Sequence, residues 1–409
     1  MEKKYLKEID SGFTPLTICE EAARCLLCHD APCSKECPAG TDPGKFIRSV
    51  RFRNFKGAAE TIRINNILGA ICARVCPTEK YCQHGCSRSG IDKPIDIGRI
   101  QRYVTDMEDA LGMEVLEKAP ANGKTIAVIG SGPAGLSIAG NLLCKGYDVT
   151  IYEKEAELGG YLRYGIPEYR LPNEIVDKEI NRIIKLGLKV KVNTKVGKDV
   201  KVEDLQKEYD AVIMGIGYSV GKVIPMFKDN KYVETAVSYL RRIKENKGEV
   251  EVAKNVLVVG GGDVSMDICT SLKILGAENV TAVVYEELKE FKASTKELNN
   301  ARENNVTIID GYVPSEVNGN TVTFKHRFIP SEIKLTADKI VLAVGQTMDL
   351  EGINLEFEKG EATSKNYRVG DTNLFVCGDI SKNPYKTVVG AVRSAKEAAF
   401  YVDQYLGGK

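Results

Sequence analysis

This chain has almost no histidine, no long apolar run and no surplus of charge of either sign. Only His29, His84 and His326 occur in its 409 residues. None of them sits in a serine-nucleophile elbow or a zinc-protease motif, which excludes hydrolysis by those routes. No run of about 18 apolar residues is present, so no membrane-spanning helix is expected. With 57 basic and 56 acidic residues, a nucleic acid is not expected as the main partner. The opening MEKKYLKEID is charged throughout, unlike a signal peptide. The expectation is a cytoplasmic protein, in a compartment where disulfides are disfavoured and clustered cysteines more often bind metal.

Clustered cysteine is what the chain does have. Nine of its twelve cysteines fall within the first 86 residues. Cys144, Cys269 and Cys377 lie later, in apolar segments, and read as small buried hydrophobes. The stretch CLLCHDAPCSKECP spaces Cys25, Cys28, Cys33 and Cys37 by two, four and three residues. The stretch CARVCPTEKYCQHGC spaces Cys72, Cys76, Cys82 and Cys86 by three, five and three. Cys33-x3-Cys37-Pro and Cys72-x3-Cys76-Pro repeat the Cys-x3-Cys-Pro element of bacterial cluster proteins, where the cysteine before proline serves the other of two clusters. Eight thiols suit two 4Fe–4S clusters. Zinc is the alternative, but it favours two short cysteine knuckles, and this spacing fits them poorly. A thioredoxin-like role for Cys25 and Cys28 would need a surrounding βαβ pattern that is missing. His29 and His84 flank cysteines and read as groups that cover or tune the clusters.

The texture of the chain changes near residue 120. Residues 1–118 read as helical and irregular, with helix-like spacing in FKGAAETIRINN and IGRIQRYVTDMEDAL. The linker EKAPANG, 117–123, reads as a boundary. TIAVIG, GPAGLSIAGNLLCKG and DVTIYE then form a strand–helix–strand unit, and NVLVVG, GDVSMDICTSLKILG and NVTAVVYE form a second. VTIID, TVTFKH, EIKLT and KIVLAV read as further strands, and TVVGAVRSAKEAAFYVDQYL as a final amphipathic helix.

Each βαβ unit opens on a glycine-rich turn. In GSGPAG, Gly130 permits the tight turn, Gly132 lets a pyrophosphate approach the backbone, and Gly135 lets the helix pack close to the sheet. Glu153, at the end of the second strand, is placed to hydrogen-bond ribose hydroxyls. In GGGDVSMD, from Gly260 to Asp267, Met266 stands roughly where a third small residue would. Glu286 and Glu287 end that unit's second strand; carboxylates there favour the free 2′-hydroxyl of NAD, with Lys289 and Lys292 as counter-evidence. FVCGDI places Asp379 before the last helix, where an acid can bind a flavin's ribityl chain and the helix N-terminus can stabilise the reduced ring.

Nicotinamide moves two electrons as hydride, a cluster moves one, and a flavin does both. The order nicotinamide, flavin, clusters follows, with the cofactors rather than acid–base side chains doing the chemistry, so no catalytic side chain is assigned.

Taken together, CLLCHDAPCSKECP, NNILGAICARVCP, IDIGRIQRYVTD, GGYLRYGIPEYRLP, GGGDVSMD and VVGAVRSAKEAA resemble the N-terminal half of dihydropyrimidine dehydrogenase. The likeness is greatest to the bacterial NAD-dependent form, in which that half is a separate subunit; the glutamate synthase small subunit is more distant. The resemblance implies a helical domain with two 4Fe–4S clusters, 1–118, followed by two α/β Rossmann-like domains. The FAD-binding domain, 119–222 and 347–409, would be split by an inserted NAD-binding domain, 223–346. It implies one cluster on Cys25, Cys28, Cys33 and Cys86, and another on Cys37, Cys76, Cys82 and Gln101. Cys72, a ligand by spacing alone, would then be a bystander. The FAD residues expected are Gly130, Gly132, Pro133, Ala134, Gly135, Glu153, Lys154, Gly160, Arg170, Gly378, Asp379, Thr387 and Val388. The NAD residues expected are Gly260, Gly261, Gly262, Asp263, Val264, Glu286, Glu287, Ala343 and Gly345. Tyr285 and Lys292 stand where the mammalian enzyme carries arginines for NADP.

The activity implied is that of an electron-input oxidoreductase subunit in pyrimidine catabolism, within a heterotetramer. Nothing in the chain could form the FMN barrel that holds the pyrimidine site, so the FMN and iron–sulfur subunit that interconverts uracil or thymine with the 5,6-dihydro compounds would be a partner. The same electron path serving another acceptor, such as a glutamate synthase or ferredoxin, is the alternative. A redox-sensing module without turnover is a third reading.

Overall fold

The computed structural model describes residues 4–407. Two compact units emerge, each assembled from separated stretches of chain.

The larger unit comprises residues 10–163, 173–217 and 350 onward. Its first part is helical. The helices Thr17–Ala23, Pro43–Arg51, Phe55–Asn65, Gly69–Val75 and Ile97–Ala110 pack around Ile18, Phe46, Ile47, Ile62, Ile100 and Val104, all essentially without solvent exposure. Polar side chains close three of these helix N-termini: Asp42 accepts from Lys45 N–H, Asn54 from Gly57 N–H and Asp96 from Arg99 N–H. Each bond satisfies a donor that the helix itself cannot. Residues 117–123 carry no helix or strand, as the Pro, Asn and Gly content of the linker predicts. A five-stranded parallel sheet follows, in the order Leu374–Val376, Ala211–Met214, Thr125–Ile129, Asp148–Tyr152, Lys189–Lys191. The winding reverses between Thr125–Ile129 and Ala211–Met214, and such a switch point opens a crevice at the carboxyl ends of the strands. The outermost strand at 374–376 joins this sheet after about 160 intervening residues (374 less 214). The helices Pro133–Cys144 and Val388–Tyr405 belong to the same unit.

The second unit comprises the chain up to Ile9 with residues 164–172 and 218–349. It repeats the plan. Its parallel sheet runs Val233–Thr235, Lys339–Leu342, Asn255–Val259, Asn279–Val283, Thr307–Ile309. An antiparallel sheet of Tyr312–Asn318, Thr321–His326 and Glu332–Thr336 is added to it.

Several boundaries differ from the sequence expectation: the stretch up to Ile9 joins the second unit rather than the helical domain, and the insert expected at 223–346 runs over 218–349. The helical domain and the first sheet close into one unit rather than separating at 118. The segment 164–172, expected in the flavin domain, joins the second unit. Side chains explain this last difference. The Lys244 ammonium donates to the Ile166 and Leu171 carbonyls at 2.6 and 2.8 Å. Tyr169 is buried, donates to the Asp267 carbonyl at 3.0 Å and packs edge-on against Tyr5.

Among the described residues no helix is long and apolar enough to cross a membrane.

Candidate redox site

The first four thiols come together. Cys25, Cys28, Cys33 and Cys86 line one small cavity with Ile47 and Ile95. Leu27 takes φ 51° between Cys25 and Cys28, a left-handed turn that wraps the chain around the cavity. Burial raises the Cys25 thiol and pushes that of Cys33 up to about 11, with the neighbouring thiols adding to both. Such thiols stay protonated until a metal displaces the proton.

A second group holds Cys37, Cys72, Cys76 and Cys82, with Cys76 close enough to feel the charge of each of the other three. Burial raises Cys76 and Cys82 well above the ordinary thiol range. Cys76 leaves the helix Gly69–Val75 in extended conformation, and Pro77 follows it. Cys72 is buried inside that helix, and burial raises its thiol. Gln101 reaches the same helix: its amide nitrogen donates to the Gly69 carbonyl at 2.8 Å. That bond engages the nitrogen of the side-chain amide and leaves its oxygen as the remaining polar atom. Among the described residues no three His, Cys, Asp or Glu converge on a single ion. The exposed His29 and His84 flank these groups.

The nucleotide turns have matching geometry. Gly130 takes φ 92° and its N–H donates to the Tyr152 carbonyl at 2.8 Å. A Cβ on Gly135 would stand 1.9 Å from the Gly130 carbonyl oxygen, whereas a Cβ on Gly132 would meet no atom within 4 Å. Open space therefore faces the helix Pro133–Cys144, which has no side-chain cap. The second turn is alike. Gly260 N–H donates to the Val283 carbonyl at 2.9 Å, a Cβ on Gly262 would also meet no atom, and Asp263–Ile274 starts uncapped. Asp42, Asn54, Asp96, Thr235, Ser294 and Thr387 cap six other helices, while the shorter Thr17–Ala23, Gly69–Val75 and Val202–Glu208 are also without a side-chain cap. Two long helices that leave their first N–H groups to open space fit pyrophosphates. Pro133, Ala134 and Val264 lie in the first turns of these two helices.

Glu153 is buried and braces its own turn. Its Oε2 accepts from Ser131 N–H at 2.8 Å and from Ser131 Oγ at 2.5 Å, while Oε1 accepts from Glu155 N–H at 3.0 Å. Sequence reasoning placed this carboxylate on a ribose alone and overlooked Ser131. Each oxygen can accept about two bonds, so Oε1 keeps capacity for a hydroxyl. Lys154 is exposed, and the Gly160 backbone lies against Gly132. In the second unit the equivalent register position, next after the strand residue that receives the turn's N–H, is Val284. Glu286 and Glu287 lie further on; Glu286 pairs with Lys292 at 2.6 Å and Glu287 with Lys289 at 3.3 Å. Asp263 accepts from Ser294 N–H at 2.6 Å. Ala343 N–H donates to the Val259 carbonyl, and Gly345, at φ 102°, accepts from Lys222 N–H.

Asp379 fits the expected flavin role. Its Oδ1 is buried without a hydrogen-bond partner, which is the mark of an acceptor awaiting a hydroxyl. Burial raises its carboxyl, opposed by Lys386. Gly378 N–H donates to Ser394 Oγ at 2.8 Å, and Thr387 caps the helix starting at Val388 by accepting from Gly390 N–H at 3.2 Å. Arg170, expected beside the flavin, belongs to the second unit and is ion-paired there with Asp267 at 2.6 Å and Glu297 at 2.8 Å.

Comparison with known proteins agrees with this geometry. Residues 2–113 match the family described as dihydropyrimidine dehydrogenase domain II, 4Fe–4S cluster. Residues 124–395 match the pyridine nucleotide-disulphide oxidoreductase family. The NAD-dependent dihydropyrimidine dehydrogenase subunit PreT of Escherichia coli K12 is 52% identical over 408 residues, covering 100% of this chain and 98% of its own. The glutamate synthase (NADPH) small chain of the same organism is 27% identical, covering 94% and 91%. Among solved structures, Mycobacterium tuberculosis FprA in complex with NADPH superposes with a TM-score of 0.61 at 17% identity, covering 71% of this chain and 85% of that one. That likeness speaks for the α/β fold alone. The chain is thus an oxidoreductase that uses FAD, a pyridine nucleotide and 4Fe–4S chemistry, and by identity across its whole length it belongs to the family of the NAD-dependent dihydropyrimidine dehydrogenase subunit PreT.

Proposed function

We propose that this chain is the electron-input subunit of a dihydropyrimidine dehydrogenase. It would accept hydride from NADH and deliver single electrons to a partner chain that carries FMN and the uracil or thymine site. The observation that carries the reading is the coexistence, in one chain, of two thiol groups and two uncapped nucleotide turns.

When bound, the nicotinamide, flavin and iron–sulfur groups supply the conversion of an electron pair into single electrons. The chain's own residues bind and orient them. The first N–H groups of Pro133–Cys144 would receive the flavin pyrophosphate, with Glu153 Oε1 on the ribose and Asp379 Oδ1 on the ribityl chain. The free N–H groups at Val388 and Val389 would stabilise negative charge on the ring. The first turn of Asp263–Ile274 would receive the NAD pyrophosphate. Cys25, Cys28, Cys33 and Cys86 would hold one cluster, and Cys37, Cys76 and Cys82 with Gln101 the other.

Assembly with the pyrimidine subunit, in a heterotetramer, tests the reading. Isolated from its host without oxygen, the chain should co-purify with an FMN protein, and NADH-dependent uracil reduction should require both. Uracil reduction by this chain alone, or a native complex with an amide-transferring glutamate synthase, would refute it. The second outcome is a real alternative, because the relationship to the glutamate synthase small chain also spans nearly the whole length.

A further inference from the structure

The loop after the second unit's strand Asn279–Val283 carries three carboxylates and meets three cations. Glu286 pairs with Lys292 at 2.6 Å, Glu287 with Lys289 at 3.3 Å, and Glu290 with Arg327 at 3.7 Å. Arg327 comes from a distant part of the sequence, just beyond the strand Thr321–His326. Its guanidinium carbon lies 3.9 Å from the centre of the Tyr285 ring, and its Nη1 donates to the Tyr285 carbonyl at 3.1 Å. Backbone bonds fix this approach: Arg327 N–H donates to Gly311 O at 2.9 Å and Gly311 N–H donates to Glu286 O at 3.2 Å. An arginine is therefore already installed on Tyr285, the residue after Val284, beside the position where this fold reads the adenosine ribose.

Arginine and lysine at this place are what a ribose 2′-phosphate requires. Here each cation is neutralised by a carboxylate of the same loop. Of the three carboxylates Glu286 is the least exposed, its side chain at 14% against 33% for Glu287 and 51% for Glu290. It is thus the carboxylate whose charge an incoming phosphate would meet with least screening by water.

We propose that the second unit contains a preassembled 2′-phosphate pocket, made by Arg327 and Lys292, to which Glu286, the least exposed carboxylate of the loop, is the main barrier. Arg327 is then a specificity-determining residue, and discrimination against NADP is held mainly by one carboxylate rather than by missing cations. This rests on the second unit being the nicotinamide nucleotide unit.

The test is equilibrium binding of NAD⁺ and NADP⁺ to the cofactor-loaded full chain by titration calorimetry. In the unaltered protein NAD⁺ should bind, and NADP⁺ should bind at least about ten-fold more weakly, the effect of one carboxylate repelling the added phosphate. Glu286→Gln should tighten NADP⁺ by about ten-fold or more, and Glu286→Ser, which also removes the charge but not by an isostere, should act in the same direction. Adding Arg327→Ala to Glu286→Gln should reverse most of that increase. If both Glu286 variants bind NAD⁺ but leave NADP⁺ affinity unchanged, the pocket is not preassembled. If the double variant binds NADP⁺ as tightly as Glu286→Gln, Arg327 is not its reader. Failure of the unaltered protein to bind NAD⁺ would overturn the nucleotide reading of the unit instead.

Discussion

Removing the Arg63 guanidinium should destabilise the larger unit more than any other single charge change in it. Arg63, Glu108 and Glu179 all have side chains with no solvent exposure. Arg63 Nη2 lies 2.7 Å from each carboxylate, and its Nη1 also donates to the Ile67 carbonyl at 2.8 Å. Glu179 in turn accepts from Ala70 N–H at 3.1 Å, at the start of the helix that carries Cys72. Arg182 adds a partly buried cation 3.1 Å from Glu108. Arg63→Met keeps the volume but leaves the two dry carboxylates only the partly buried Arg182 as a cation, and the Ile67 carbonyl without its donor. Breaking a buried pair in this way costs about 3–5 kcal/mol. At 2–4 °C per kcal/mol for a unit of this size, the melting temperature should fall by roughly 6–20 °C. Scanning calorimetry of the iron-loaded protein under anaerobic conditions measures it. The triple variant Arg63→Met, Glu108→Gln, Glu179→Gln should recover part of the loss, because no ion is then left unpaired. A fall below about 2 °C for Arg63→Met would mean that water or rearrangement satisfies the carboxylates, and the reasoning from burial would fail.

Three further outcomes separate roles at the cofactor sites. Gln101→Ala should lower iron content and remove one set of paramagnetic signals while NADH still bleaches the flavin, whereas Cys72→Ala should retain all its iron; iron loss in the latter would exchange their roles. Asp379→Ala should weaken FAD binding by about 5–150-fold, the range of about 1–3 kcal/mol for a buried acceptor losing its partner, as read by flavin release on dilution. Gly132→Val should leave the circular dichroism of the apoprotein unchanged, because its Cβ meets no protein atom, yet prevent flavin retention; an apoprotein that unfolds would show the glycine is structural.

Much of the fold was legible because its signals are local. The glycine turns, their flanking strands and the linker at 117–123 are written in consecutive residues. The thiol groups were half legible: spacing announced clusters, the family resemblance implied that Cys86 joins Cys25, Cys28 and Cys33, and the folded chain lines one cavity with all four. What stayed hidden depends on partners far along the chain. The segment GIPEYRLP has no periodicity to read, and its unit is decided by Lys244, Tyr5 and the Asp267–Arg170 pair. The strand Tyr312–Asn318 was missed because Pro314 interrupts its pattern; the structure accommodates it beside a register shift between Pro314 and Glu316. The carboxylates at 286 and 287 were placed at the strand end by counting, but the backbone register puts Val284 there. Arg327, 42 residues beyond Tyr285, could not be associated with it by spacing.

The central claim is that this chain turns hydride pairs into single electrons carried by iron and sulfide. Electron paramagnetic resonance of the anaerobic protein, reduced first by NADH and then by dithionite, with iron and zinc quantified on the same sample, tests it most directly. The account predicts about eight iron per chain for two clusters, a flavin bleached by NADH, and cluster signals that dithionite develops fully. A zinc-loaded protein without iron, or an iron-loaded one that stays silent after dithionite, would contradict it.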